Sequence, residues 1–376
     1  MRILNTISSL GVNSGGPTQS LYFTVKELHN IGLNVDILSY YPSEGDSIIS
    51  DEKFIISLKT SKGILAYSPE YKKSLINSDY DIYHTHGIWE YPNYITSKIA
   101  KRKGKPYVVT LHGMLYPQAM RIKSHEKRIL LKLFFQKIIN NAAAVHATCL
   151  DEMNYARELG ITSPIAVIPN PVEISENTTI SNPDKVRIGY LGRIRARSLK
   201  NVDRLIYIWD KLRDSIADAE LVIIGGGDDA YLDFLKSEVK RLGLNNVVFT
   251  GFLSGEAKNK AINSLSYLAV PSDFESFGMI VPEALTRGIP VIASKGTPWE
   301  ELNTHNCGWW VDNDIDTFAN AIKEAISLSD QKRLEMADNG RKLIRENYSM
   351  EVVSKMFLQL YNWINSGENK PNFVYL

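Results

Sequence analysis

The N-terminal half of the chain alternates short apolar runs with longer amphipathic stretches. Met1–Ser9 has the pattern of a buried strand, and after a glycine-rich loop Thr18–Asn30 has a helical periodicity that ends at Gly32. Five further apolar runs are separated by segments long enough for helices: Val35–Ser39, Asp81–Thr85, Tyr107–Leu111, Ala143–Thr148 and Ile165–Ile168. This alternation favours parallel β-α-β units, and it predicts a doubly wound α/β domain.

The same pattern starts again after a polar stretch, Glu173–Asp184, whose composition is typical of a linker. The second series of buried-strand patterns is Val186–Leu191, Glu220–Ile224, Asn246–Thr250, Tyr267–Pro271, Pro290–Ala293 and Gly308–Val311. We therefore predict two Rossmann-like domains, residues 1–172 and 184–349. The C-terminal segment 350–376, with a helical pattern over Met350–Asn365, is expected to pack back on the first domain. Two such domains place ligands outside the carboxyl ends of their strands, in a cleft where the domains face each other.

The composition is that of an ordinary globular protein. Of 376 residues, 44% are apolar and 23% are charged, which argues against a disordered chain or a repeat array. Cys149 and Cys307 are the only cysteines, so a disulfide framework is not expected and a reducing compartment fits best. No run approaches the roughly 18 apolar residues of a membrane span, and the N-terminal run resembles a strand more than a signal peptide. We expect a cytoplasmic protein.

Charge is distributed unevenly along the chain. The net charge is +1, but residues 98–137 contain eleven Lys and Arg against Glu126 alone, so this segment carries +10 and the remainder −9. Within it, Lys123–Ile139 has the pattern of a basic amphipathic helix with one apolar face, Leu131, Phe134, Phe135, Ile138 and Ile139. An anionic membrane surface, such as the inner face of the plasma membrane, is one interpretation. A solvated helix whose apolar face packs in the domain core explains the pattern equally well.

The stretch Pro271–Leu285 contains the strongest candidate chemistry. Glu275 lies in a turn after a strand pattern, and Glu283 lies seven intervening residues later, in the first turns of a predicted helix that tolerates Pro282. Free amides at a helix start can bind a diphosphate or sugar hydroxyls, and the two carboxylates can contact different parts of one ligand. An acidic pair favoured by the helix dipole explains one glutamate but not the whole string.

Glu275 and Glu283, with Phe277-Gly278 between them, resemble the signature of the family 4 retaining glycosyltransferases, whose GT-B fold has two Rossmann-like domains facing a central cleft. Six further motifs occur in the order expected for that family: Ser14-Gly15-Gly16-Pro17-Thr18, Leu111-His112-Gly113, Ile168-Pro169-Asn170, Leu191-Gly192-Arg193, Ile223-Ile224-Gly225-Gly226-Gly227 and Gly288-Ile289-Pro290-Val291. Each motif alone is common, whereas the ordered set along most of the chain is specific.

The resemblance implies a role for each motif. Glu275 would contact the donor sugar, Glu283 the ribose, and Arg193 with Lys200 the diphosphate. The remaining residues expected to bind the donor are Gly15, Gly16, Gly225, Ser276, Phe277, Gly278 and Met279.

The basic loop after Leu191 suits a departing diphosphate. Negative charge grows on the leaving phosphate as the anomeric bond breaks, so fixed cations there stabilise the transition state more than the ground state. We therefore expect Arg193 and Lys200 to be catalytic, and we expect the same of Glu275 and His112. The family has fewer residues between its arginine and lysine, so Arg195 or Arg197 is an alternative to Lys200.

Histidines follow two of the strand patterns. His112 comes directly after Tyr107–Leu111, and Gly113 allows a ligand to approach the backbone, so His112 is expected to contact a sugar hydroxyl or the reacting centre. His86, Trp89 and His112 are expected on the acceptor side, with Trp89 as a platform for a sugar ring. A buried structural role is the alternative for each histidine.

Neither a metal nor another cofactor is expected. His84, His86 and His112 lack the helical spacing of metal ligands. Asp312, Asp314 and Asp316 resemble an acid-x-acid metal signature, but they precede a helical pattern, where aspartates act as N-caps.

The sequence thus predicts a hexosyltransferase of the retaining type. It would move a sugar from a nucleotide-diphosphate sugar, with UDP favoured over GDP, to a glycan or lipid-linked acceptor in cell-surface polysaccharide or lipopolysaccharide biosynthesis. Two alternatives are a nucleotide-sugar epimerase of the same fold and a non-catalytic polyanion-binding module that uses residues 98–137. A dehydrogenase is disfavoured because no complete GxGxxG spacing is present, and no nucleic-acid partner is expected.

Overall fold

A computed structural model of the chain describes residues 1–59, 66–121, 124–174, 185–216 and 218–376. The chain divides into two compact units, which we call unit 1 (Met1–Glu173 with Tyr348–Leu376) and unit 2 (Ile174–Asn347). Most of the predicted linker, residues 175–184, lies outside the described residues, as does Lys123 of the predicted basic helix.

Each unit is built on one sheet. The strands in the described part of the chain are β1 (Arg2–Ser9), β2 (Asn34–Tyr40), β3 (Ile55–Leu58), β4 (Ile82–His86), β5 (Tyr107–Thr110), β6 (Ala144–Ala147), β7 (Ile165–Val167), β8 (Val186–Leu191), β9 (Ala219–Ile224), β10 (Val247–Gly251), β11 (Tyr267–Val270), β12 (Val291–Ser294), β13 (Gly308–Val311) and β14 (Val374–Tyr375). The order in unit 1 is β14-β7-β6-β5-β4-β1-β2-β3, and the order in unit 2 is β10-β9-β8-β11-β12-β13. Only the pairing of β14 with β7 is antiparallel among these strands. The predicted pair of doubly wound parallel sheets is confirmed.

Helices connect the strands, as parallel neighbours require. The described α-helices are α1 (Gly16–Asn30), α2 (Pro69–Asn77), α3 (Tyr91–Arg102), α4 (Pro117–Arg121), α5 (Ser124–Leu130), α6 (Gln136–Ile139), α7 (Leu150–Glu158), α8 (Val202–Lys211), α9 (Asp229–Arg241), α10 (Gly255–Asn263), α11 (Ile280–Thr286), α12 (Glu301–Thr304), α13 (Ile315–Ser327), α14 (Asp330–Asn347) and α15 (Met350–Ser366). No helix among the described residues is long and apolar enough to cross a membrane.

The last helix completes the core of unit 1 although it follows unit 2 in the chain. Ser349 caps α15 by accepting a hydrogen bond from the Val352 amide at 3.3 Å. Val353 and Phe357 of α15 are buried in the same core cluster as Leu21 and Val25 of α1. Both helices therefore cover one face of the unit 1 sheet, since a parallel sheet must be covered on both faces.

Two edge strands have no clear signal in the sequence. Strand β3 is only partly buried, and β14 is two residues long with one side chain exposed. An edge strand is covered less than a central one, so its residues need not form a continuous apolar run. The periodicity therefore predicted the central strands and missed β3 and β14.

The predicted basic helix over residues 123–139 is interrupted. A π-helical segment, Leu131–Phe135, separates α5 from α6. Leu131 and Ile139 are buried and Phe135 and Ile138 pack against the core of unit 1, whereas Phe134 is 56% exposed. Of the two interpretations of this apolar face, packing in the core is the one observed, and the membrane interpretation of the same face is wrong, because four of its five residues face the core. A π-helical turn holds more residues than an α-turn, which changes the side chains that share a face.

Candidate functional site

The loops after β8 and β11 bring Lys200 and Glu275 together in unit 2. Lys200 Nζ donates to Glu275 Oε1 at 2.6 Å, and Ser272 Oγ donates to the same oxygen at 3.2 Å. The side chain of Glu275 is 14% exposed and that of Lys200 is 33% exposed. This ion pair is therefore shielded enough to have a defined geometry and still open enough to meet a ligand.

Lys200 makes this contact even though its loop is longer than the family pattern. The loop contains a turn in which the Ser198 amide donates to the Arg195 carbonyl at 3.3 Å, and Arg197 has a left-handed φ of 55°. The turn takes up the additional residues and returns Lys200 to Glu275. Arg193, Arg195 and Arg197 are exposed, and none of them forms an ion pair with a carboxylate among the described residues.

Glycines at the end of β9 let the basic loop lie against the sheet. A Cβ atom on Gly225 would lie 1.9 Å from the carbonyl oxygen of Gly192, and one on Gly227 would lie 2.1 Å from that of Ile194. The Ile194 amide donates to the Gly226 carbonyl at 3.0 Å. The structure therefore places Gly225, a predicted donor contact, as the packing partner of the loop that carries Arg193.

The turn after Glu275 is anchored by an aromatic pair. Phe277 is buried, its ring contacts Trp299 edge-on with centroids 5.3 Å apart, and its carbonyl accepts from Trp299 Nε1 at 2.5 Å. Gly278 adopts a left-handed φ of 77°, and Met279 directly precedes α11. The Phe277 side chain thus fixes the backbone between Ser276 and Met279.

Glu283 has its own cationic partners in the first turn of α11. Its Oε1 lies 2.8 Å from Lys258 Nζ and 3.5 Å from Arg287 Nη2, and its side chain is 26% exposed. Glu275 and Glu283 are therefore held by separate cations, as two carboxylates that contact different parts of one ligand would be.

Four histidines gather in unit 1 near the carboxyl ends of β4, β5 and β6. His146 Nε2 donates to the Ile168 carbonyl at 2.7 Å, so its Nδ1 accepts from Thr110 Oγ1 at 2.9 Å. Thr110 Oγ1 in turn accepts from His84 Nε2 at 2.7 Å, and His84 Nδ1 accepts from Tyr361 at 2.8 Å. In this series of hydrogen bonds, both ring nitrogens of His84 are used in contacts within unit 1. A structural role thus accounts for His84.

His86 links this cluster to His112. His86 Nε2 donates to Asn5 Oδ1 at 3.1 Å, so His86 Nδ1 accepts from His112 Nε2 at 3.1 Å. This arrangement leaves the lone pair on His112 Nδ1. His112 has a left-handed φ of 50°, which is uncommon for a residue with a side chain and concentrates at functional sites. The structure thus brings together two of the predicted site residues, His86 and His112.

Burial keeps these imidazoles neutral. It lowers the pKa of His112 to about 3, with a smaller contribution from His146, and lowers that of His146 to about 4. The pKa values of His84 and His86 also fall well below the ordinary value, first because of burial and then because of neighbouring histidines. His112 is therefore a neutral hydrogen-bonding group at physiological pH and not a fixed cation.

Glu152 supports the His112 turn, a function that sequence reasoning missed. This fully buried carboxylate accepts a hydrogen bond from the Gly113 amide, and it accepts from the Thr148 amide and hydroxyl at 2.6 and 2.9 Å. Burial raises its pKa, and these donors oppose that shift. Its position in the first turn of α7 resembles that of any helix-start acid, so no pattern distinguished it.

The structure also shows what surrounds Gly15 and Trp89, two further predicted site residues of unit 1. Gly15, with φ of 90°, precedes α1 (which begins at Gly16), and a Cβ atom there would meet nothing within 4 Å. Trp89 packs edge-on against Phe135 at 5.5 Å, and Lys127 Nζ lies 5.7 Å from its ring centroid. These contacts suit a packed side chain better than an open platform for a sugar ring.

The aspartates that resemble a metal signature are engaged elsewhere. Asp314 is the N-cap of α13 and accepts from the Thr317 amide at 2.8 Å, as the sequence predicts. Asp312 pairs with Lys295 and Asp316 with Lys211. Within the described ranges, no group of three or more His, Cys, Asp or Glu side chains is arranged to hold a metal ion.

Two family models match consecutive parts of the chain. Residues 14–176 match the model described as Glycosyltransferase Family 4, and residues 173–343 match that described as Glycosyl transferases group 1. Together they cover residues 14–343, which is most of the chain. The chain belongs to the family 4 glycosyltransferases.

Curated relatives of this glycosyltransferase match it over part of their length. An uncharacterised glycosyltransferase of Methanocaldococcus jannaschii is 31% identical over 47% of this chain and 45% of the relative. A GDP-mannose-dependent alpha-(1-6)-phosphatidylinositol dimannoside mannosyltransferase of Mycobacterium tuberculosis is 28% identical over 42% of this chain and 40% of the relative. The matched stretch thus spans less than half the length of either relative.

The solved structure of another protein has the same fold as this glycosyltransferase over both units. The HepE protein of Anabaena, determined in complex with UDP and glucose, superposes with a TM-score of 0.73 at 19% identity, covering 96% of this chain and 99% of that protein. The similarity establishes the two-domain GT-B fold.

Proposed function

We propose that this chain transfers a sugar from a nucleotide-diphosphate sugar to a hydroxyl acceptor and retains the anomeric configuration. In that reaction the bond between the anomeric carbon and the diphosphate oxygen breaks, and the electron pair leaves with the nucleoside diphosphate. The acceptor oxygen then bonds to the same carbon, and its proton passes to the leaving diphosphate. The observation that carries the proposal is the Lys200–Glu275 pair beside a loop of exposed arginines.

The cations of unit 2 suit the leaving group. Arg193 is exposed, and it lies on the same loop as Lys200, whose Nζ contacts Glu275. We assign both to the diphosphate, where preorganised positive charge stabilises the transition state more than the ground state. Their alternatives, Arg195 and Arg197, are on the same loop without a contact to Glu275.

The carboxylates of unit 2 suit the polyol parts of the donor. Glu275 would accept hydrogen bonds from sugar hydroxyls, and its contact with Lys200 holds the carboxylate in place for that purpose. The backbone of residues 276–279 would contact the same sugar. Glu283 would accept from the ribose hydroxyls, because its partners, Lys258 and Arg287, leave its side chain partly exposed.

The residues of unit 1 would act on the sugar through neutral contacts. His112 Nδ1 is left as an acceptor for a sugar hydroxyl, with His86 and Asn5 as positioning residues that set its tautomer. The open space at Gly15 and the start of α1, which has fifteen residues, would admit the donor close to the backbone.

Related proteins that use or bind nucleotide sugars support a donor of this class. One relative is described as dependent on GDP-mannose, and one structural neighbour was determined with UDP and glucose. We propose a UDP-sugar first and a GDP-sugar second. The acceptor would be a glycan or lipid-linked glycan in cell-surface polysaccharide assembly, and no metal ion would be required.

Donor consumption with and without acceptor tests this proposal. A transferase should release nucleoside diphosphate faster when an acceptor glycan is added, and the product's anomeric configuration by NMR should match that of the donor. The reaction should survive a chelator, and UDP or GDP should raise the midpoint of thermal unfolding. Conversion of the donor to an epimer without acceptor would instead identify an epimerase and overturn the proposal.

A further inference from the structure

The helical run from α5 through Leu131–Phe135 into α6 is apolar on two faces. One face packs in the core of unit 1, as described above. The other face is exposed, and we call it the apolar ridge. It consists of four side chains with exposed fractions of 58%, 40%, 65% and 56%: Ile129, Leu130, Leu133 and Phe134. Large apolar side chains that are contiguous and this exposed are typical of an interaction surface, whereas isolated ones are ordinary.

Cationic side chains surround the apolar ridge. Arg128 and Lys132 are interspersed with it, and Arg121 and Lys137 precede and follow it; all four are exposed. In the part of the chain that the structure describes, no ion pair joins any of the four to a carboxylate. Glu126 is the only acidic residue between positions 121 and 137. The surface is therefore both apolar and strongly cationic.

A hollow next to α5 adds a second observation. Its volume is about 350 Å³, and its lining includes three apolar side chains and three charged ones: Leu115, Met120, Tyr155, Arg121, Arg128 and Glu158. Two guanidinium groups beside an apolar wall suit a phosphate group that carries hydrocarbon. Glu158 offsets part of that charge but leaves the lining cationic.

We propose that the apolar ridge inserts into the interface of an anionic phospholipid bilayer, with Arg128 and Lys132 at the lipid phosphates. Exposed apolar side chains flanked by cations are the combination that such an interface binds. A second copy of this chain is a poorer occupant, because the two cationic surfaces would repel each other. A soluble polyanion would contact the cations and leave the ridge in water. The proposal does not depend on the proposed reaction.

Co-sedimentation with vesicles tests the charge and the apolar contribution separately. Wild type should bind vesicles that contain phosphatidylglycerol and should not bind pure phosphatidylcholine. Each cation near an anionic surface contributes about fivefold to affinity, so Arg128→Ser with Lys132→Ser should weaken binding by about 25-fold. Leu133→Ser with Phe134→Ser should weaken it at least tenfold. The matched control is Lys72→Ser, Lys73→Ser and Ile76→Ser on α2, which changes two exposed lysines and one exposed isoleucine of unit 1 and should bind like wild type.

Fluorescence distinguishes insertion from adsorption. Phe134→Trp should shift its emission to shorter wavelength and be quenched by brominated phosphatidylglycerol, whereas Ile76→Trp should do neither. The proposal would be overturned if the Leu133→Ser, Phe134→Ser variant still bound vesicles, the Arg128→Ser, Lys132→Ser variant did not, and wild type also bound heparin. That result would show a surface for polyanions in general. Equal binding by wild type and all variants, or none, would also overturn it. These measurements involve no turnover, so they and the transferase assay can fail independently.

Discussion

At the scale of single residues, the candidate site of unit 2 depends on one ion pair between positions far apart in the chain. Lys200 and Glu275 are on loops after different strands, and they meet because β8 and β11 are neighbours in the sheet. Parallel neighbours bring their carboxyl ends to the same edge. The sequence predicted each residue through its motif, but only the fold showed that Lys200, and not Arg195 or Arg197, contacts Glu275.

Glu275→Gln should reduce turnover by roughly tenfold to a thousandfold, since it removes a positioned charge but keeps the size of the side chain. Steady-state kinetics with saturating donor measures the effect, and thermal unfolding reports whether the fold is intact. Glu220→Gln is the matched control, because Glu220 forms an ion pair with Arg187 at 3.0 Å in the same unit. Near-normal turnover by a well-folded Glu275→Gln variant would remove Glu275 from the mechanism.

The buried histidines predict an acid-sensitive unit 1. His112 and His146 have pKa values of about 3 and 4 in the folded protein, against an ordinary value of 6.5. Between these values the unfolded chain binds protons that the folded chain does not, so the free energy of unfolding falls as the pH is lowered from about 6.5 towards 4. Urea unfolding at several pH values measures this slope.

Two variants test whether the buried histidines cause this pH dependence of the free energy of unfolding. His146→Gln removes one of the titrating groups and should have a shallower pH dependence than wild type, whatever its stability at neutral pH. His305→Gln changes an exposed histidine of unit 2 and should retain the wild-type slope. Identical slopes in all three proteins would show that the histidine cluster does not control acid unfolding.

At the scale of elements, the end of β9 fixes the basic loop by backbone packing. Gly225 allows the approach of the Gly192 carbonyl, which a Cβ atom would contact at 1.9 Å. Because the carbonyl belongs to the backbone, the clash can be relieved only if the loop itself moves. A clash with the end of a flexible side chain would need only a change of rotamer. The geometry around Arg193 and Lys200 therefore depends on a residue without a side chain.

Gly225→Ala should lower the free energy of unfolding and weaken donor binding together. The overpacking should cost about 1–3 kcal/mol, in addition to any cost of the backbone conformation. Gly251→Ala is the matched control on the neighbouring strand: Gly251 has a left-handed φ of 73°, and a Cβ atom there would meet nothing within 4 Å, so the substitution should cost only about 1–2 kcal/mol. If both variants lost the same free energy of unfolding and the same donor affinity, the contact with the Gly192 carbonyl would be relieved without cost.

At the scale of the whole molecule, the chain leaves unit 1, forms unit 2 and returns. Helix α15 supplies Val353, Phe357 and Leu360 to the core of unit 1, and its Tyr361 ends the hydrogen-bond chain through His84. The C-terminal segment therefore stabilises the unit that carries His112, although more than 170 residues separate the two parts of that unit.

Phe357→Ala should destabilise the protein by about 3–5 kcal/mol, because it leaves a cavity in a buried core. Chemical unfolding monitored by circular dichroism measures the loss. Gln359→Ala, which changes an exposed position of the same helix, should remain within about 0.5 kcal/mol of wild type. A small effect of Phe357→Ala would mean that α15 is dispensable for the core of unit 1.

The sequence by itself determined the central strands, several helices such as α1 and α15, and the family, because buried strands, amphipathic helices and glycine-dependent loops leave regular or specific patterns. It also predicted Glu275, His86 and His112 as polar residues that follow strands, and Glu283 as a carboxylate in the first turns of the next helix. Strands β3 and β14 at the edges of the unit 1 sheet, the π-helical segment, the exposed apolar ridge and the support of the His112 turn by Glu152 emerged only from the tertiary structure. Those features depend on which neighbours cover a residue, and a linear pattern records the polarity of each side chain but not what packs against it.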